Sequence, residues 1–171
     1  MRKRGNRKQG QLNISFGMIF SIILVIVFLV FAFYAIKTFL GFQDQAKADR
    51  FYSDFQADMT NAWQAAVSSQ NFSYAVPSGT KMVCIFDSYS GARGSNSAVY
   101  SEVNDTSTGQ GENVAFYPVK LSSYDSKEID HLNLEATVAE ENPYCINVIN
   151  GRVSMFLRRD YGEALVTISR Q

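Results

Sequence analysis

The residues able to do chemistry are few and far apart. The chain carries one histidine, His131, and two cysteines, Cys84 and Cys145. Nucleophilic catalysis needs a hydroxyl or thiol beside a base, and a third group to orient that base. A lone histidine without such partners reads as a surface or structural residue. The cysteines stand 61 positions apart with no Cys-x-x-Cys spacing, which points away from a zinc site. Asp125, Glu128 and Asp130 are oxygen donors of the kind that hold Ca²⁺, but they lack the EF-hand spacing and read as a solvated acidic loop. Gly91-Ala92-Arg93-Gly94 and Gly109-Gln110-Gly111 lack the lysine and the strand-to-helix setting of a phosphate loop. No catalytic residue, metal site or cofactor is expected, and the chain reads as a non-enzyme.

The elements around these residues are set by a strong charge asymmetry. The 171 residues hold 16 basic and 16 acidic side chains. Arg2, Lys3, Arg4, Arg7 and Lys8 crowd the first ten positions, and the first acid is Asp44. From Asp44 onward ten basic residues face sixteen acidic ones, a net of minus six. Such an acidic bulk repels phosphate, which argues against nucleic acid as a partner.

Residues 14–36 are 23 positions without a charge. About 20 apolar residues span the hydrocarbon core, and a helix is the form that satisfies its backbone there. The basic leader fixes the N-terminus in the cytoplasm and leaves the remainder outside. The run is too long for the apolar region of an ordinary secretory signal, about 7–15 residues. Phe39 and Phe42 suit the membrane–water interface.

An extracytoplasmic setting makes one disulfide, Cys84 to Cys145, the expected state of the two cysteines. Asn71-Phe72-Ser73 and Asn104-Asp105-Thr106 are glycosylation sequons in the same region.

Beyond Gly41 no helix breaker occurs until Pro77. Ala48, Phe51, Tyr52, Phe55, Met59, Ala62, Trp63 and Ala66 recur at steps of three and four, one stripe of a helix. The spacing predicts a helix continuing to about residue 69. The period then changes to strands at 81–87 and 113–119, a weak strand at 98–103 inside a polar loop, and an undecided element at 132–138. Residues 144–149 and 152–159 around Asn150-Gly151 read as a type I′ hairpin, followed by a strand at 163–169. Three antiparallel strands need cover for their apolar face, and the amphipathic helix supplies it. The expected fold is α+β. It divides into a basic cytoplasmic leader (1–13), a transmembrane helix (14–42), its amphipathic extension (43–70) and a β-rich extracytoplasmic domain (71–171).

A basic leader, a spanning helix that continues as an amphipathic helix, and a C-terminal β-domain resemble type IV pilins and pseudopilins. The leader is most similar to archaeal pilin-like proteins with a class III signal. Gly10-Gln11-Leu12-Asn13-Ile14-Ser15-Phe16 occupies the place of their cleavage site. Gln9 stands where a basic residue is usual, and Ser15 where glutamate is common. The resemblance implies a structural or assembly role in a surface filament or its machinery. It also implies processing between Gly10 and Gln11 by a prepilin-type peptidase. Phe16, Ile19, Ile23, Ile26, Val30 and Phe33 would pack the helix in the bilayer and against other pilin-like subunits. The alternative is a bitopic membrane protein that never polymerises and binds a partner or ligand outside.

Overall fold

The computed structural model describes residues 16–107, 111–119 and 126–170. The leader, with Gly10 and Gln11, lies outside the described residues, as do Asp125 and Gly109-Gln110. Helix α1 spans Phe16–Gln64. The chain divides between Leu40 and Gly41 into two compact units.

In the first unit, every described residue of α1 is exposed. The second unit holds the rest of α1 and all the strands. Here Ala48, Phe51, Tyr52, Phe55, Met59 and Ala62 are buried, which is the stripe read from the sequence. Phe51 alone meets the rings of Tyr52, Phe55, Tyr74 and Phe116. Trp63 and Ala66 stay exposed at the end of the stripe.

The sheet is antiparallel and six-stranded: β1 (Ser68–Ala75), β2 (Met82–Ile85), β3 (Val114–Tyr117), β4 (Tyr144–Ile149), β5 (Arg152–Arg159) and β6 (Thr167–Arg170). The fold is α+β, with α1 packed on the face bearing Tyr74, Val153, Met155, Leu157 and Ile168. The hairpin matches its expectation residue for residue. Asn150 and Gly151 take φ of 53° and 71°, the left-handed values of a type I′ turn. β4 stays on β5 only at Val148 and Ile149. It then leaves to pair with β2, and β6 takes its place beside residues 155–158 of β5. The strand order is therefore β1-β5-β4-β2-β3, with β6 also on β5.

Three expectations need correction, and one open element is resolved. The helix stops at Gln64 rather than near residue 69, and Ser68 already belongs to β1, so neither the 43–70 extension nor the 71 boundary holds. Tertiary contacts end the helix: Arg159 donates to the Ala65 carbonyl, and Trp63 Nε1 donates to the Ala164 carbonyl at 3.0 Å. Residues 98–103 are not a strand. They form a 3₁₀ turn (Ser97–Val99) and helix α2 (Tyr100–Asn104), because Val103 plugs a second apolar cluster of Cys84, Phe86, Ala115 and Cys145. That cluster buries the other face of β2, as continuous apolar strands require. The last strand begins at Thr167, not at 163, because Glu163 closes a loop in which its side chain accepts from the Asp160 amide at 2.8 Å. The undecided element at 132–138 is a short helix, α3 (Leu134–Thr137), whose first turn is capped by Asn133 Oδ1 accepting from the Ala136 amide.

Candidate functional site

The apolar part of α1 is the most distinctive chemical feature of the chain. One helix is long and apolar enough to cross a membrane, with a mean hydropathy of 3.1 over its most apolar window. Its large apolar side chains between Phe16 and Phe42 are 41–84 % exposed among the described residues. A helix apolar all round needs an apolar solvent or partner. Two of its hydroxyls are satisfied within the helix. Ser21 Oγ donates to the Gly17 carbonyl at 2.8 Å, and Thr38 Oγ1 to the Tyr34 carbonyl at 3.0 Å.

Phe16, Ile19, Ile23, Ile26, Val30 and Phe33 all lie in this exposed stretch. Their alternating steps of three and four place them on one helix face. The face is mostly β-branched, while Phe28 and Phe39 lie opposite.

Cys84 and Cys145 form the expected disulfide. They oppose each other in the β2–β4 register with Cα atoms 4.0 Å apart, the close spacing of a non-hydrogen-bonded pair. Both are buried. The two sequon asparagines differ. Asn71 is exposed on β1, whereas the amide oxygen of Asn104 is buried with no hydrogen-bond partner among the described residues. His131 stacks on Trp63, with ring centroids 3.8 Å apart and planes 4° from parallel. Among the described residues no group of three His, Cys, Asp or Glu side chains could hold a metal ion.

Several groups that sequence reasoning missed carry the second unit's electrostatics. Burial pushes Asp44 up, but hydrogen bonds from Ser78 and Lys47 outweigh it and hold the carboxyl below its usual range. Hydrogen bonds from Ser95 and Arg170 do the same for Glu141. Burial and the Asp58 carboxylate push the Tyr74 phenol well up. Buried Asn142 is a hub: its Nδ2 donates to the Asp87 and Gly91 carbonyls and to Ser90 Oγ, and its Oδ1 accepts from the Asp87 amide. Nothing in the local sequence singles out this asparagine, since its partners lie about fifty positions away.

No family model matches the chain, and neither does any curated protein or solved structure.

Proposed function

We propose that this chain is a pilin-like, membrane-anchored subunit with a structural or assembly role in a type IV pilus-like surface filament or its machinery. One observation carries the reading. A helix apolar on every side continues as one element, Phe16–Gln64, into an amphipathic stretch seated on an antiparallel sheet. An exposed apolar helix with a folded domain at its end suits storage in a bilayer, followed by packing among like helices.

In this proposal the basic leader holds the N-terminus in the cytoplasm, and the β-rich domain lies outside. A prepilin-type peptidase cuts between Gly10 and Gln11. The face of Phe16, Ile19, Ile23, Ile26, Val30 and Phe33 then meets other pilin-like subunits. Ser15 favours a second reading, an anchored domain that binds a partner without polymerising. A serine there gives no carboxylate to pair with a neighbour's terminal amine.

The test is the N-terminal residue and intact mass of the protein extracted from its native membrane. A chain starting at Gln11 supports the processed, pilin-like reading. A chain that keeps its basic leader overturns it and leaves the anchored binding domain.

A further inference from the structure

β1 is an edge strand with an unusual absence. Natural edges are blunted by charges, proline, bulges or a covering element. β1 reads Ser-Ser-Gln-Asn-Phe-Ser-Tyr-Ala over eight residues, with no charge and no proline. Its pairing with β5 runs from Ser68↔Arg159 to Ala75↔Arg152 without a bulge.

The ladder decides which backbone groups are free. The Val76 amide donates to the Gly151 carbonyl, so residue 76 points toward β5. Alternation then turns residues 68, 70, 72 and 74 inward and Ser69, Asn71, Ser73 and Ala75 outward. The outward carbonyl of Ser73 accepts from Arg152 Nη2 at 2.5 Å, as this geometry requires. The outward N–H groups meet no acceptor among the described residues.

A groove of about 370 Å³ runs between this edge and α1. Lys47, Arg50 and Arg152 line it with a single carboxylate, Asp54. Asp54 pairs with Arg50 at 3.4 Å. Lys47 in turn pairs with Asp44 at 3.3 Å, so Arg152 is the groove's one cation without a carboxylate partner among the described residues, in a region whose net charge is minus six.

We propose that the outer edge of β1 is a strand-addition site for an extended, carboxylate-bearing segment of a partner protein. The outward N–H groups of residues 69, 71, 73 and 75 and the outward carbonyls of 69, 71 and 75 supply the docking, and Arg152, seated on the Ser73 carbonyl, selects the charge. The site does not depend on whether the leader is cleaved or the chain polymerises.

The test titrates the full chain, in detergent, with a blocked peptide matched to β1 in length and alternating valine with glutamate. A valine–lysine peptide is the control. Wild type binds the glutamate peptide and not the lysine one. Asn71→Pro removes an outward donor and leaves the β5 ladder intact, because proline is tolerated on a free edge. It weakens the glutamate peptide by about tenfold, which is about 1.4 kcal/mol. Arg152→Glu needs no backbone change and also lowers affinity for the glutamate peptide. No binding by wild type, equal binding of both peptides, or unchanged binding by Asn71→Pro or Arg152→Glu overturns the proposal. So does concentration-dependent self-association that Asn71→Pro abolishes, because a second copy would then occupy the edge.

Discussion

The backbone amide of Ser78 donates a 3.0 Å hydrogen bond to Oδ1 of Asp44, across 34 positions of sequence. This bond ties the turn after β1 to α1 near the start of the second unit. Lys47 Nζ reaches the same carboxylate oxygen at 3.3 Å and Ser78 Oγ at 3.4 Å. The Asp44–Ser78 bond thus joins local helix chemistry to the sheet's entry.

Asp44→Ala removes the acceptor and is expected to destabilise the second unit by about 1–2 kcal/mol. Asp44→Asn keeps an acceptor for the Ser78 amide and costs less. The sign with pH follows from the lowered carboxyl. A depressed carboxylate stabilises at pH values above its unfolded range and loses that contribution as pH falls through its folded value. Thermal melts of wild type should therefore fall in acid, and those of Asp44→Ala should fall less. An identical acid response in both proteins would show that Asp44 carries none of it.

The disulfide closes a separation of 61 residues. In the chain-entropy model that stabilises by about 4 kcal/mol. Cys84→Ser with Cys145→Ser should lower the melting temperature sharply. Both sulfurs are buried, so thiol reagents should label them only after denaturant opens the sheet. Rapid labelling of the reduced native protein would contradict this placement.

Asn142→Ala leaves two carbonyls and an amide of the 87–91 loop without their partner. The expected loss is about 3 kcal/mol, because unsatisfied buried groups cost more than the bond itself returns. Hydrogen exchange should speed up at residues 87–94 first. Exchange unchanged there would show that the Arg93–Asn142 backbone pair holds the loop alone.

Trp63 and His131 are the only tryptophan and histidine in the chain, which makes their stack easy to read. A double-mutant cycle of Trp63→Ala and His131→Ala should give a coupling of about 1 kcal/mol. His131→Ala alone should shift the tryptophan emission toward that of a more hydrated indole. Trp63→Phe keeps an aromatic face but loses the bond to the Ala164 carbonyl, and should cost about 1 kcal/mol. Additive single effects would argue that the stack contributes nothing.

Some of this fold is legible because its causes are local. The charge-free run at 14–36 admits only a helix. The stripe from Ala48 to Ala62 needs only its own spacing. The β4–β5 hairpin is set by two residues, Asn150 and Gly151, that accept positive φ. β1 is not legible, because an edge strand exposed on most of its length shows no alternation. Val103 is half of a contact whose other half, the Cys84 cluster, lies far away in sequence, so a weak strand pattern became a helix. The groove beside β1 was equally hidden: Lys47, Arg50 and Arg152 meet only after β5 lies next to β1.

By itself the sequence determined the apolar helix, the face it turns toward a core, the tight turn and the pairing of two cysteines. Each follows from spacing or from a residue's own conformational range. Only the tertiary structure decided where α1 ends, where β4 changes neighbours and which strand keeps an open edge. Those outcomes depend on carbonyls and amides finding partners across long separations, and each backbone carries the same groups whatever its side chains.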